Sequence, residues 1–228
     1  MRFDTTPIAP TPRASLPPLP SGALLTIETP GLSAGLGGRL WPSAAALSRW
    51  LRANVDDVAA SHVLELGCGC GAIGIYAAAC GAASVLLTDG DDDLLQVAAA
   101  NVQRNRRLVG NRCTVRAHRW SARDVRLPPQ LDYVLGGDVT YNRQSLDPLC
   151  RSIRWMCDER RPRVLLAHEQ RHPDGLAALE SAAASHELQV TTVWIDDDHG
   201  AAASISEEDD TVLSRGSIAL LEVSAVVD

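Results

Sequence analysis

Short apolar runs alternate along the chain with segments in which apolar residues recur at helical spacing. The apolar runs predict strands over residues 62–66, 84–89, 113–118, 131–136 and 164–168. The periodic segments predict helices over residues 72–80, 92–106, 145–157 and 174–186, preceded by a helix that Ser43 caps. Strands that alternate with helices in this way indicate an α/β fold with a doubly wound, mostly parallel, Rossmann-like sheet.

The two ends of the chain depart from this alternation. Residues 188–195 and 217–226 are β-rich and no helix separates them, so they predict a C-terminal antiparallel hairpin and bring the sheet to seven strands. The loop between them is acidic over residues 196–210, and it either attracts a basic partner surface or is a solvated insertion. Residues 1–30 hold seven of the 13 prolines, which is typical of an extended arm rather than a packed element. We therefore predict a proline-rich arm at 1–34 and one domain at 35–228.

Composition and charge narrow the class of protein. The 228 residues are 46% hydrophobic and 21% charged, a globular balance that excludes wholesale disorder. The formal net charge of −7 argues against nucleic acid as a partner. No apolar run reaches the roughly 18 residues that a membrane-spanning helix needs, and the N-terminus lacks a basic-then-apolar signal pattern. We expect a soluble monomer of the cytoplasm, with the nucleus as the alternative, and no membrane partner.

The cysteines do not form a recognisable metal motif. The six cysteines include no C-x-x-C pair, and none is spaced from another cysteine or a histidine in a way suited to zinc. We therefore expect reduced thiols and no metal site. Cys68 and Cys70, which alternate with glycines, are interpreted as small apolar fillers, with a metal or redox role as the alternative.

A glycine-rich loop carries the strongest chemical pattern. The predicted strand at 62–66 leads directly into Gly67, Gly69 and Gly71, and a helix is predicted immediately afterwards. Glycine is required where the backbone turns sharply and a ligand comes close, and the helix N-terminus presents unpaired N–H groups. Asp89 ends the next strand, a position from which a carboxylate can accept both hydroxyls of a ribose. The pattern predicts a site for an adenosine-type nucleotide.

Two nucleotide classes compete for this loop. Residues 69–74 also satisfy the G-x-G-x-x-G dinucleotide pattern, so NAD is one candidate. However, Glu65 lies two residues before the first glycine, where a carboxylate would repel a pyrophosphate. A ligand with a cationic sulfonium and an α-amino group is compatible with an acidic neighbour. S-adenosylmethionine is therefore favoured over NAD.

These features resemble those of the seven-β-strand, class I methyltransferases. More narrowly, the chain resembles methyltransferase family 16, the protein-lysine methyltransferases that include calmodulin-lysine N-methyltransferase. The resemblance runs from about residue 35 to residue 226 and rests on residues 38–44, 65–71 and 136–141, with Asn101 and Glu169-x-Arg171 also family-like. The last of the three segments contains the family's D-x-x-Y motif as Asp138 and Tyr141. The resemblance implies the strand order 3-2-1-4-5-7-6 and S-adenosyl-L-methionine as the cofactor.

The resemblance also implies roles for individual residues. The implied cofactor contacts are Gly67, Cys68 and Gly69 at the methionine end, Asp89 at the ribose, Trp120 at the adenine, and Trp41, Glu65, Gly71 and Gly137 around them. The implied catalytic residues are Asp138, which would accept hydrogen bonds from the acceptor amine, and Tyr141, which would wall the lysine channel. An alternative for Asp138 is that it caps the helix that follows it.

The resulting hypothesis is an S-adenosylmethionine-dependent protein N-methyltransferase that modifies a lysine of a protein substrate. One alternative is a methyltransferase that acts on protein arginine or on a small molecule. Another is a non-catalytic S-adenosylmethionine-binding module, against which the intact D-x-x-Y motif argues.

Overall fold

The computed structural model describes residues 15–31, 36–196, 202–203 and 217–226. The first 14 residues of the predicted proline-rich arm and most of the predicted acidic loop lie outside these ranges. The strands are β1 (His62–Leu66), β2 (Ser84–Asp89), β3 (Cys113–Ala117), β4 (Tyr133–Gly137), β5 (Arg163–Glu169), β6 (Leu188–Asp196), β7 (Ala202–Ala203) and β8 (Ile218–Ala225). The helices are α1 (Pro42–Ala53), α2 (Val55–Val58), α3 (Ala72–Ala79), α4 (Asp92–Arg104), α5 (Arg106–Val109), α6 (Leu146–Arg160) and α7 (Gly175–Ala184).

The strands form one mixed sheet in the order β3-β2-β1-β4-β5-β8-β6-β7. The five strands from β3 to β5 run parallel, and β8 is antiparallel to both of its neighbours. The two-residue β7 was not predicted. The predicted seventh strand is β8 here, so the seven long strands have the expected order 3-2-1-4-5-7-6, and β6 and β8 form the predicted C-terminal hairpin. The chain order reverses between β1 and β4, the type of place where open α/β sheets bind ligands at the carboxyl ends of their strands.

Helices cover both faces of the sheet because the central strands are apolar on both sides. In β1, Val63 belongs to the core cluster that contains residues of α1, α3 and α4, whereas Leu64 belongs to the cluster formed with α6 and α7. This alternation follows from the two-residue period of a strand. None of the helices within the described ranges is long and apolar enough to cross a membrane.

The first helix starts two residues earlier than predicted, and Ser43 does not cap it. Trp41 is the N-cap residue and Pro42 occupies the first helical position, where a missing N–H costs nothing and a fixed φ suits the helix. Ser43 therefore lies inside the first turn. Its hydroxyl is buried and has no hydrogen-bond partner among the described residues.

The described part of the predicted arm is extended but packed, which corrects the expectation that it would not pack. Asn105 exchanges hydrogen bonds of 2.9 and 2.8 Å with the backbone N–H and C=O of Thr26. Asn101 does the same with Glu28 at 2.9 Å each. Leu19 is only 2% exposed in the core. Two side-chain amides one helical turn apart thus bind the segment through paired N–H and C=O groups, as a neighbouring strand would.

Candidate functional site

A cavity of about 430 Å³ opens at the carboxyl ends of the central strands, where the sheet order reverses. Ten of the eleven predicted site residues line it: Trp41, Glu65, Gly67, Cys68, Gly69, Asp89, Trp120, Gly137, Asp138 and Tyr141. Gly71 is the exception, because it is the N-cap of α3 and a Cβ there would point into the core, 3.3 Å from the side chains of Leu87 and Ala98. The structure therefore joins the glycine loop and the D-x-x-Y motif in one enclosure.

The glycine loop has a backbone that few other residues could adopt. Gly67 and Gly69 have φ values of +60° and +51°, in the left-handed region. A Cβ on Gly69 would lie 2.7 Å from the carbonyl oxygen of Gly37, and one on Gly67 would lie 2.9 Å from Val139. Both positions therefore require glycine, because neighbouring groups of the protein already fill the space that a side chain would need.

Asp89 is held by the loop that it faces. Its carboxylate accepts the N–H of Gly69 at 2.9 Å and the N–H of Asp91 at 3.1 Å. Burial raises the pKa of this carboxyl above its ordinary value, and the backbone hydrogen bonds oppose the rise. Because Asp89 also lines the cavity, its carboxylate has acceptor capacity left for hydroxyls of a ligand.

Glu65 is the most buried acid of the site. It is 1% exposed, and its Oε2 accepts the N–H of Gly74 at 2.8 Å. Burial raises the pKa of Glu65 to about 8 despite this hydrogen bond, with a smaller contribution from the charge of Asp89. The carboxyl is therefore mostly protonated at neutral pH, and a nearby cation would favour its ionised form.

Asp138 follows β4 directly and is locked in place by an arginine. Its φ of +58° is left-handed, a conformation that aspartate tolerates better than most residues. Arg171 donates to both carboxylate oxygens, at 2.6 and 2.8 Å. Burial raises the pKa of Asp138, and the hydrogen bonds from Arg171 oppose that rise. The alternative helix-capping role belongs instead to Asn142, whose side chain accepts the N–H of Gln144 at 3.0 Å.

Arg171 is the functional residue that the sequence patterns left without a role. It also donates to Glu169 at 2.6 Å, and its guanidinium carbon lies 5.2 Å from the centre of the Trp41 ring. Burial lowers the pKa of Arg171, but its two acidic partners outweigh this and keep the pKa above the ordinary value. The Glu169-x-Arg171 spacing at the end of β5 indicated the residue, and only the neighbouring position of β4 reveals its partner.

Three aromatic residues also line the cavity. The Trp41 indole donates to the carbonyl oxygen of Leu36 at 3.0 Å, which fixes the ring at the entrance. The ring of Trp120 lies within 3.3 Å of the place where a Cβ on Gly67 would sit. Tyr141 is 49% exposed at the mouth, so that it borders the path by which an acceptor would enter.

The cysteines of the loop are free thiols in an apolar setting. Burial raises the pKa of Cys70 to about 11 and holds that of Cys68 well above its ordinary value, which disfavours the thiolate that metals and redox partners need. No group of three or more potential metal ligands occurs within the ranges that the structure describes.

The chain is similar in sequence to known lysine methyltransferases. A family model described as lysine methyltransferase matches residues 21–183. EEF1A lysine methyltransferase 3 of Mus musculus is 32% identical over 130 residues, which are 56% of this chain and 53% of that protein. The electron transfer flavoprotein beta subunit lysine methyltransferase of Homo sapiens is 32% identical over 131 residues, or 55% of this chain and 46% of that protein. The matches thus span about half the length of these relatives.

The fold has solved counterparts as well. The glycopeptide N-methyltransferase MtfA, solved in complex with S-adenosyl-L-homocysteine, superposes with a TM-score of 0.59. The superposition covers 78% of this chain and 87% of that one at 13% sequence identity. At that identity the likeness establishes a shared architecture.

Proposed function

The chain belongs to the lysine methyltransferase family, and on that premise we propose that it transfers the methyl group of S-adenosylmethionine to a lysine side chain of a protein. The observation that carries the proposal is the single cavity that joins the glycine loop to Asp138 and Tyr141. A cofactor held by the loop and an amine held by the motif would meet inside one enclosure, as an in-line displacement requires.

The walls of the cavity fit S-adenosylmethionine. Gly67, Cys68 and Gly69 line the cavity, so that a ligand can contact the loop, and Asp89 has acceptor capacity for the ribose hydroxyls. The Ser43 hydroxyl, buried in the wall without a partner among the described residues, is available to a polar ligand atom. Glu65 supplies an acidic group for a cationic ligand. When bound, the cofactor supplies an electrophilic methyl group on a positively charged sulfur.

The main obstacle for a lysine acceptor is its proton. With a reference pKa of about 10.4, the neutral amine costs about 4.6 kcal/mol at pH 7. Desolvation in the cavity lowers that cost because it disfavours the ammonium. Asp138 contributes by position: each of its oxygens keeps a lone pair beside its bond from Arg171, and can accept a hydrogen bond from the amine. Since burial raises its pKa, Asp138 is also suited to pass the proton on to water.

A protein is the proposed substrate because the two relatives described above are named for protein targets. The exposed Tyr141 at the mouth supports this choice, since a side chain presented from a folded surface has to reach Asp138 from that side. In this position Tyr141 would flank the aliphatic part of the entering lysine side chain.

Transfer of a labelled methyl group tests the proposal. Wild type, Asp138→Ala and the exposed control Asp158→Ala are incubated with tritiated S-adenosylmethionine and a desalted extract of the cells that produce the protein. We expect a discrete labelled protein band with wild type and with the control, none with Asp138→Ala, and methyl-lysine after hydrolysis of the band. The chain contains 21 basic residues, all of them arginine, so methyl-lysine cannot come from the enzyme itself.

Three results would contradict the proposal. Label found as methylarginine or only in small molecules would reject a lysine substrate. Full turnover by Asp138→Ala would remove that residue from the mechanism. Binding of S-adenosylhomocysteine without any transfer would leave a binding module rather than an enzyme.

A further inference from the structure

The charges in the cavity wall are not fully matched. The acidic residues Glu65, Asp89 and Asp138 each accept at least one hydrogen bond, and Arg171 already serves two carboxylates. His172 lies exposed at the mouth. Arg39 lines the same cavity and is half-buried, yet within the described ranges it forms no ion pair, and its guanidinium faces the ring of Trp41. A half-buried guanidinium without a carboxylate is a candidate binding group for an anion.

The place of Arg39 is set by the segment that contains it. A 3-10 turn, Leu36–Gly38, precedes Arg39, and the carbonyl of Gly37 lies so close to Gly69 that no Cβ would fit between them. The guanidinium carbon of Arg39 lies 5.3 Å from the centre of the Trp41 ring, and that ring is in turn tied to Leu36. The segment thus crosses the glycine loop at Gly69 and presents Arg39 beside it.

The proposed cofactor brings one group that the acidic wall does not suit. Its amino-acid end carries an ammonium and a carboxylate; the ammonium favours the ionised form of Glu65, and the carboxylate would be repelled by that charge. Arg171 is held by Asp138 and Glu169 and is therefore already committed. Arg39 is the remaining arginine among the described residues of the wall.

We infer that Arg39 binds the α-carboxylate of S-adenosylmethionine and of S-adenosylhomocysteine, while Trp41 holds its guanidinium in place. This inference rests on the proposed function. The same guanidinium chemistry would suit an acidic side chain of the protein substrate, and the test below separates the two sources. Arg39 is accordingly a cofactor-binding residue that contributes specificity for ligands with an intact amino-acid end.

Calorimetric binding of two ligands tests this role without any turnover. One ligand is S-adenosylhomocysteine; the other is its decarboxylated analogue, which keeps the adenosine, the sulfur and the amine. The variants are Arg39→Gln, Arg39→Lys and the control Arg151→Gln, whose arginine is 58% exposed on α6 and pairs with Asp147. Loss of a charge-assisted hydrogen bond weakens binding by about tenfold or more.

We expect Arg39→Gln to bind S-adenosylhomocysteine about tenfold more weakly and the decarboxylated analogue within about twofold of wild type. Arg39→Lys keeps the charge but loses the forked geometry, so its loss should be intermediate. The control should match wild type with both ligands. Unchanged analogue binding also shows that the variant site is folded.

Each other outcome overturns the inference. Equal losses for both ligands would place Arg39 at the shared part of the ligand or in a structural role. No loss for either ligand would leave Arg39 to the substrate carboxylate or to neither. Failure of wild type to bind S-adenosylhomocysteine would reject the proposed function itself, a result distinct from a silent Arg39→Gln.

Discussion

Glu65 carries a carboxyl whose effects on folding and on binding have opposite signs. Its pKa is about 8 in the folded chain, against an ordinary value of 4.5. Between these values the unfolded chain has released a proton that the folded chain still holds, so stability falls as the pH rises from 4.5 towards 8. At pH 7 the penalty is about 3 kcal/mol. A site that must attract a cation therefore weakens the empty protein.

Substitution of Glu65 by glutamine separates the two effects. The amide oxygen can still accept the N–H of Gly74 but does not titrate, so we expect Glu65→Gln to be more stable than wild type at pH 7 by about 1–3 kcal/mol. The gain should shrink towards zero near pH 5, while affinity for S-adenosylmethionine falls. Urea unfolding at both pH values measures the difference. An equal gain at both would show that Glu65 does not titrate between them.

The pair of Asp138 and Arg171 should behave as a coupled unit. Replacement of Arg171 by methionine leaves a 7%-exposed carboxylate without its partner, which we expect to cost about 2–4 kcal/mol at pH 7. Asp138→Asn in the same chain should recover part of that loss, because the uncompensated charge is gone. Urea unfolding of wild type, both single variants and the double variant measures the coupling energy of the pair, which we expect to exceed about 1 kcal/mol. Simple additivity would mean that the pair is not coupled in solution.

At the scale of elements, α4 links the N-terminal segment to the glycine loop. Asn101 binds the backbone of Glu28 on one side and donates to the carbonyl of Cys70 at 2.9 Å on the other. Asn105 holds Thr26 and has no bond to the loop among the described residues. The two amides therefore differ in function although they share a helix face.

Hydrogen exchange should distinguish these two asparagines. We expect Asn101→Leu to cost about 2–3 kcal/mol, to deprotect the Glu28 amide and to weaken S-adenosylhomocysteine binding. Asn105→Leu should deprotect the Thr26 amide and leave ligand affinity nearly unchanged. Gln103→Leu, on the exposed side of the same helix, is the matched control. Loss of both amides' protection in either variant would indicate that the segment opens as one piece.

Much of this architecture was predictable because the spacing of apolar residues within a short segment indicates whether that segment forms a strand or a helix. The bounds of β1 and β2 match the predicted runs at 62–66 and 84–89, since a buried strand next to glycine has few alternative registers. Local patterns do not show which side chains from distant parts of the sequence contact each other. Asn101 meets a partner 73 residues away, and Arg171 meets Asp138 across 33 residues, through the adjacency of β4 and β5.

The candidate site followed the same rule. The glycine loop and Asp89 lie where the sequence placed them, because the ends of two neighbouring parallel strands meet at one edge of the sheet. Gly71 was named as a cofactor contact through the family resemblance, and in the left-handed turn that begins α3 a Cβ on it would face Leu87 and Ala98 in the core rather than the cavity. The start of α1 was misassigned for a comparable reason, since Pro42 decides it rather than Ser43.

In the molecule as a whole, the central strands couple the two core clusters. Side chains of β1 and β4 alternate between the cluster on the α1 and α3 side and the cluster on the α6 and α7 side. Neither face can lose its helices without exposing apolar strand residues to water. That exposure costs a free energy of about 25 cal/mol for each Å² of apolar surface. We therefore expect the domain to unfold as one cooperative unit.

The six cysteines report on that cooperativity, because they lie on both faces and all are free. Burial raises the pKa of Cys70, Cys150 and Cys157 to about 11, so the native thiols should react slowly with a disulfide reagent at pH 8, and all six should react after unfolding in urea. A ligand at 100 times its Kd stabilises the folded state by about 2.7 kcal/mol. S-adenosylhomocysteine should then slow the labelling of Cys150 and Cys157 on α6 by about 100-fold, as much as that of Cys70 beside the loop. Mass spectrometry of labelled peptides measures each rate, and protection confined to Cys68 and Cys70 would show that the loop opens on its own while the sheet stays folded.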